Sequence, residues 1–330
     1  MRILKSMTAV ILALCLLFSG TVFAFALESD DFTYTVSEDG NGIVITGYTG
    51  SQTNLVIPSV IDEKPVISIG KKAFENQYNI TSIEFPETLL TIDDYAFRGC
   101  SKINNLQFPD SLVSIGVESF FNCAGLMSIS LSENTYNIGY QAFHNTGWFT
   151  QSPNGPLYLG LVFYHHKGII EEDSFTVRDF TKAIAPEAFK NQLTVTEINL
   201  PVGLRKISAY AFSYCTNLRY VRIPSSVTEI EGSLFLNAPV VSVKGVLKSS
   251  IHSYTSNNGI GFIYDSTLDY FDGDLDKNNK VDSTDCRLLM RLINGSDDEF
   301  DNERYLSCNI VYDGKIDTKD LREWMRRSLM

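Results

Sequence analysis

The sequence is short of the features from which catalytic centres and disulfide scaffolds are usually built. It has only four histidines (His144, His165, His166 and His252), at spacings that suit no zinc site. It contains no Gly-x-Ser-x-Gly and no Walker-type phosphate motif. Positive charge is scarce: 27 Lys and Arg face 39 Asp and Glu, a net charge of −12, which argues against nucleic acid and anionic membrane surfaces as partners. Beyond the first 26 residues no run approaches the ~18 apolar residues that a membrane span requires. Cysteine is sparse. Of the six, Cys15 lies in the leader described next, and an odd set remains: Cys100, Cys123, Cys215, Cys286 and Cys308. Five thiols cannot all pair within one chain, so packing or metal must stabilise the fold.

What is present is core material. Of the 330 residues 44% are apolar, and Phe and Tyr together number 37, which excludes wholesale disorder. Arg2 and Lys5 precede an apolar run from Ala9 to Phe18, and Ala24-Phe25-Ala26 follows as a small-x-small cleavage site. Residues 1–26 therefore read as a secretory signal, with Val22-Phe23-Ala24 an almost equivalent site, so that the mature chain begins at Phe25 or Leu27. Cys15 follows Leu14 rather than a small residue, which disfavours a lipoprotein. The expectation is a secreted protein, extracellular or held at the cell surface. Removing Arg2 and Lys5 leaves 25 basic residues and a net charge of −14.

A 23-residue period dominates the next two hundred residues. Phe74, Phe97, Phe120 and Phe143 are each 23 apart, and the series resumes at Phe189, Phe212 and Phe235. A second phase is Ile69, Ile92, Ile115, Ile138, Leu161, Ile184, Ile207 and Ile230. A third runs Phe85, Phe108, Leu131, Val177, Leu200, Ile223 and Val246, with Ile83, Leu106, Ile129, Ile198 and Val221 two residues before their phase-mates. The period-2 pairs mark a strand with one buried face, and Pro86, Pro109, Pro201 and Pro224 end it, since proline cannot donate to a ladder. One such unit cannot bury its own apolar face, whereas stacked units can, which predicts a parallel β-solenoid. Seven steps of about 4.8 Å would give one continuous ladder of roughly 34 Å.

This pattern, seen in residues 90–115 as LTIDDYAFRGCSKINNLQFPDSLVSI, resembles the BspA-like leucine-rich repeat. The resemblance spans Leu55 to Ile263, and it implies an exported or surface protein that binds a protein or host surface rather than a catalyst. Between Phe143 and Phe189 the clock is interrupted: TGWFTQSPNGPLYLGLVFYHHKG fills the gap and puts His166 at the phenylalanine phase. Leu157-Leu159 and Leu161-His165 read as a hairpin bent at Gly160. Trp148, Phe149, Tyr158, Tyr164 and His165 are expected to serve this insert structurally, the other reading being an exposed binding patch. Phe32-Val36 and Ile43-Tyr48, about an Asp-Gly-Asn-Gly turn, predict an N-terminal capping hairpin within 27–54. The repeat domain occupies 55–265, closed by a helix and strand in residues 249–265. Cys100, Cys123 and Cys215 keep the same clock, with Asn expected at their sister positions, as at Asn237; they read as small buried residues.

From Leu268 the clock stops and acidic residues crowd in. Asp274, Asp276, Asn278, Asp282 and Asp285 occupy positions 1, 3, 5, 9 and 12 of a twelve-residue loop, with the Lys280 carbonyl at position 7. Calcium requires such a set of hard oxygens. Position 6 is Asn279, a residue that tolerates a left-handed turn. A second loop begins 35 residues later with Asn309, Asp313, the Lys315 carbonyl, Asp317 and Asp320, and with Gly314 at position 6. Val311 at its position 3 offers no side-chain oxygen, which predicts a full first Ca2+ site and a weaker second one. Each loop leads into an apolar-periodic stretch: Leu288, Leu289, Leu292 and Ile293, then Leu321, Trp324, Met325 and Leu329. In so small a unit calcium should be coupled to folding.

Tandem loop-helix units of this kind resemble the type I dockerin, a small all-α calcium-binding module; the match covers Phe271 to Met330, within a domain at 268–330. The resemblance implies a cohesin module of a scaffoldin or cell-surface protein as partner, in a cellulosome or polysaccharide-degrading setting. Carried over by position, Ser283, Thr284, Met290 and Arg291 in the first copy and Thr318, Lys319, Met325 and Arg326 in the second would face cohesin. A helix-loop-helix EF-hand is the competing fold, but the residues before Asp274 do not read as an entering helix. The ligand of the repeats is not legible. A glycoside hydrolase would need two carboxylates about 5–9 Å apart in a cleft. Glu84, Glu187 and Glu197 fall at solvent-type phases, and stacked coils offer no obvious cleft. The expectation is a non-catalytic interaction protein; the alternatives are an auxiliary polysaccharide-degrading component or a surface adhesin.

Overall fold

The computed structural model describes residues 31–238 and 241–265, together with Leu268, Arg287, Leu288, Met290 and Arg291. Residues 1–30, which include the expected signal at 1–26, and nearly all of the segment expected as a dockerin lie outside the described residues. The chain forms a β-solenoid of leucine-rich repeats with a period of about 23 residues, entered through the antiparallel hairpin Phe32–Val36 and Ile43–Tyr48. Each regular coil carries two short strands rather than one. Ser82–Glu84, for instance, pairs in parallel with Asn54–Val56, and Thr91–Ile92 pairs in parallel with Ser114–Ile115 of the next coil, the pairings Thr91 to Ser114 and Ile92 to Ile115 holding the 23-residue register. Pro86 follows the first strand and turns the chain away, as proline's missing N–H requires.

Packing explains the phases. Phe74, Phe97, Phe120 and Phe143 are fully buried and stack face to face, with centroids 4.8, 5.2 and 5.2 Å apart and planes within 6°. That spacing is close to the distance between hydrogen-bonded strands, so one ring per coil fills the core without a void. Each ladder residue also donates to the next coil, Phe97 N to Ser119 O and Phe120 N to Ala142 O, both at 2.8 Å. To turn tightly enough, each coil places two residues in the left-handed region. Lys72, Tyr95, Glu118, Gln141, Glu187 and Tyr210 share one such position, with φ between 49° and 61°. Asn76, Gly99, Asn122, Asn145, Asn191, Tyr214 and Asn237 share the other. The second series is mostly Asn or Gly, as left-handed sterics favour; the first is not, so coil-to-coil bonding must offset roughly 1 kcal/mol or more per residue.

Cys100, Cys123 and Cys215 are fully buried free thiols, each 3.0–3.2 Å from a ladder carbonyl (Phe74, Phe97 and Phe189). Their sister positions differ from the expectation: the register puts Gln77, Thr146, Gln192 and Ala238 there, not Asn237. Gln192 makes the equivalent contact, donating from Nε2 to His166 O at 3.4 Å and to Gly168 O at 2.8 Å.

The expected single ladder is broken in two. One sheet runs from the N-terminal hairpin to Asn137–Ile138; a separate sheet begins at Gly155–Leu159 and ends at Glu229–Ile230. The second sheet opens with the hairpin Gly155–Leu159 and Val162–Lys167, turning at Gly160, whose φ of +54° favours glycine. Two sequence assignments change here. Leu161 sits half-buried in the turn, and Phe163, not Leu161, pairs with Ile184. His166 keeps the main-chain slot of the phenylalanine phase, donating to Ala188 O at 2.8 Å, but the ring that stacks on Phe189, at 4.4 Å, is Phe163. The extended strand through 162–167 spans with three residues, Phe163 to His166, the interval that regular coils cover with five, Ile92 to Phe97 for example, and the ring that enters the stack stands three residues before the phenylalanine phase. Phe189, Phe212 and Phe235 then continue it at 5.4 and 5.3 Å.

Tyrosine hydroxyls close both stacks. Where the first array ends, Phe143 N–H donates to Tyr164 Oη at 2.9 Å; where the second ends, Leu234 N–H donates to Tyr254 Oη at 2.8 Å. The Tyr164 hydroxyl stands where a further coil would have supplied a carbonyl, as Ala142 does for Phe120. Tyr254 belongs to the closing helix Ser250–Asn258, capped by Ser249 and ended by left-handed Gly259, after which Gly261–Tyr264 completes the sheet. The helix Gly147–Gln151 bridges the two arrays; Thr146 Oγ1 caps its start, and Lys167 Nζ reaches the Phe149, Thr150 and Ser152 carbonyls at 2.6–3.0 Å.

Candidate functional site

The break in the stack produces a feature that regular coils do not predict. A groove of about 450 Å³ opens between the arrays, walled by residues 114–117 and 137–140 on one side and by Pro186, Glu187, Ala209, Tyr210 and Glu231 on the other, with Asp94 at its edge. Regular stacked coils offer no obvious cleft; this groove arises from how the two arrays meet. Lys206 spans the gap: its buried ammonium donates to Asn137 Oδ1 of the first array at 2.5 Å and meets Glu231 at 2.6 Å. Glu187, placed by phase in solvent, is half-buried; it holds Lys190 at 2.8 Å and is bonded to the Tyr140 hydroxyl. Burial, with the Glu187 charge second, raises the Tyr140 pKa. Glu197 is likewise half-buried and paired with Lys244 at 3.0 Å, whereas Glu84 is exposed.

Behind the groove lies the aromatic insert. Tyr164 is buried, Trp148 and Phe149 pack against the first core, and Tyr158 packs against the second. The structural reading of these residues therefore holds. His144 and His165 stand 5.4 Å apart between ring centroids, and His144 lies 4.2 Å from Phe149. Burial first pushes each down to about 4; the His165 charge comes next for His144, and the His166 charge comes next for His165. The Tyr164 hydroxyl, accepting from Phe143 N–H, leaves its own proton for His144 Nδ1 at 3.0 Å, so this contact assigns His144 the Nε2–H tautomer. Burial also raises the thiols, Cys100 and Cys215 up to about 12, with Cys123 shifted in the same direction, so none is a nucleophile near neutral pH.

Among the described residues no three His, Cys, Asp or Glu side chains converge to hold a metal. The loop residues Asp274, Asp276, Asn278, Lys280, Asp282, Asp285, Asn309, Asp313, Lys315, Asp317 and Asp320 lie outside the described residues, as do Ser283, Thr284, Thr318, Lys319, Met325 and Arg326. Of the residues assigned to cohesin, Met290 and Arg291 are described; both are helical and exposed. Asp94, Tyr140 and Tyr210 escaped sequence reasoning because the groove depends on how two arrays meet. The one available signal was Tyr at a left-handed position, and it becomes visible only once the coils are aligned.

A family model for the BspA type leucine rich repeat region matches six copies, over residues 48–152 and 170–258. No curated protein matches. Among solved structures the chain is similar to a leucine rich repeat protein of T. pallidum, at 22% identity and a TM-score of 0.42, over 72% of this chain and 97% of that one. It is also similar to a leucine rich cell surface protein of Faecalibacterium prausnitzii, at 22% identity and a TM-score of 0.40, over 68% and 55% of the two chains. The pneumococcal vaccine antigen PcpA is a third, at 15% identity and a TM-score of 0.27, over 68% and 82%. The matched stretches leave out residues 153–169, the hairpin that divides the arrays, and together they span more than half of the sequence: the chain belongs to the BspA-type leucine-rich repeat proteins.

Proposed function

We propose that this chain is a secreted, non-catalytic binding protein whose repeats hold a protein, glycan or cell-surface partner and whose C-terminal segment attaches it to a scaffold. The observation that carries the attachment is the pair of oxygen-rich loops, Asp274–Asp285 and Asn309–Asp320, each leading into an apolar-periodic stretch with Met-Arg at the same offset. In this reading Ca2+ binds through Asp274, Asp276, Asn278, the Lys280 carbonyl, Asp282 and Asp285. A weaker second ion uses Asn309, Asp313, the Lys315 carbonyl, Asp317 and Asp320. The ions order a dockerin-type module that docks onto a cohesin through Ser283, Thr284, Met290 and Arg291, or through Thr318, Lys319, Met325 and Arg326. Ser-Thr in one copy and Thr-Lys in the other make the two faces unequal. The basic-amino-hydrophobic signature of residues 1–26 supports export.

The test is capture of the whole mature chain on a panel of immobilised cohesins, with calcium and with chelator. Calcium-dependent capture supports the docking role, and Met290→Ala with Arg291→Ala should weaken it. Capture that ignores chelator, or none on any cohesin, would remove it. Sustained release of reducing sugar from a polysaccharide panel would overturn the non-catalytic assignment.

A further inference from the structure

We infer that the groove between the two arrays seats a cationic side chain, lysine or arginine, presented by a protein partner. The inference rests on the reading of the repeats as a binding array and names the chemistry of one site on it. Two tyrosines occupy the same left-handed coil position five periods apart, Tyr95 on the first array and Tyr210 on the second. Three cations of the chain itself cover the Tyr95 ring: Lys71 at 5.7 Å, Lys72 at 5.8 Å and Arg98 at 5.5 Å. The residues five periods after those cations are Pro186, Glu187 and Ser213. The three positions that carry cations at Tyr95 therefore carry none at Tyr210, and Glu187 among them is itself paired with Lys190 at 2.8 Å. Among the described residues no Lys or Arg lies over the Tyr210 ring, which is 43% exposed and lines the groove.

Of the other carboxylates at the groove, Glu231 is paired with Lys206, which leaves Asp94. Among the described residues Asp94 makes no ion pair, and its Oδ1 accepts only from Val117 N–H at 2.8 Å. Next to it, burial and then the Asp94 charge raise the Asp93 carboxyl. Pro186 and Ala209, both half-buried, line one wall and suit the methylene stem of a long side chain. An aromatic face, a free carboxylate and an apolar slot together make a receptor for an ammonium or guanidinium on an aliphatic arm, and the chain's net negative charge steers such a partner.

The test is a nuclear magnetic resonance titration of the full mature chain with a short neutral peptide carrying one lysine, and with the same peptide Nε-acetylated. The expected result is saturable shifts at Asp94, Gly139 and Tyr210 with the free lysine, and affinity lower by about tenfold or more on acetylation. Tyr210→Asn keeps a residue that tolerates the left-handed backbone and should cause a similar loss with no change in melting temperature. Asp94→Asn, whose Oδ1 still accepts from Val117, provides an independent second variant. Equal binding of the acetylated peptide, shifts elsewhere, or no saturable shift at millimolar peptide would overturn the inference. Loss at the groove with partner capture by the array intact would end this site and leave the binding reading standing.

Discussion

Acidification is expected to weaken the junction between the arrays through His144 and His165. Both are held at about 4 in the folded chain against an ordinary 6.5, because burial disfavours the imidazolium and a neighbouring imidazole, His165 for His144 and His166 for His165, opposes the charge. The unfolded chain therefore takes up protons that the folded chain refuses. Stability from these groups is complete above pH 6.5, declines as the pH falls through the window, and is gone below about 4. A displacement from 6.5 to about 4 corresponds to about 3 kcal/mol for each histidine. The slope within the window is at most about 2.7 kcal/mol per pH unit for the two together. His166, shifted down by burial as well, adds to the same trend. The assay is urea unfolding of the mature chain at several pH values across the window, for the wild type and for His144→Gln with His165→Gln. The double variant removes both titrations while leaving the carboxylates as background. A much shallower pH dependence in the variant is expected; a slope equal to the wild type's would refute the argument that these rings are buried and neutral.

Further consequences follow from the stack and its ends. Phe120→Ala removes a fully buried ring between two stacked neighbours and should cost about 3–5 kcal/mol, read by denaturant midpoint; a loss below 1 kcal/mol would contradict the ladder. Tyr164→Phe deprives the Phe143 amide of its acceptor and should destabilise by about 1–3 kcal/mol, with faster hydrogen exchange at Phe143 as the specific sign. Gly139→Ala would bring a Cβ to 2.5 Å from the Gly116 carbonyl carbon and Val117 nitrogen, so expression as a stable fold at wild-type melting temperature would count against the close coil packing. A thiol reagent under native conditions should leave Cys100, Cys123 and Cys215 unmodified.

Much of the solenoid was legible because one physical requirement, a buried apolar face repeated on every coil, writes itself into sequence as a period. Ile92, Phe97 and Phe108 could be assigned to the core from spacing alone, and all three are buried. The N-terminal hairpin and the closing helix and strand were readable from turn chemistry and alternation. Spacing failed where the chain stopped coiling. Across residues 143–189 the count of 46 is two whole periods, which placed Leu161 and His166 in phase. An extended strand advances farther per residue than a coiled turn, so Phe163 fills the core instead and the stack divides. The groove, in turn, joins Asn137 to Lys206 across 69 residues, a relation that no local pattern encodes. Residues 268–330 present the opposite case: the ligand spacing is explicit, and its meaning depends on a metal.

That dependence is tested most directly by calorimetric titration of the whole mature chain with Ca2+, beside a variant carrying Asp274→Asn and Asp282→Asn. The account predicts one tight binding event that the variant loses, a second weaker event, and a gain of helix by circular dichroism as the first site fills. No heat of binding, or binding that the variant retains unchanged, would contradict the calcium-ordered docking segment and leave the repeat array as the chain's sole interaction module.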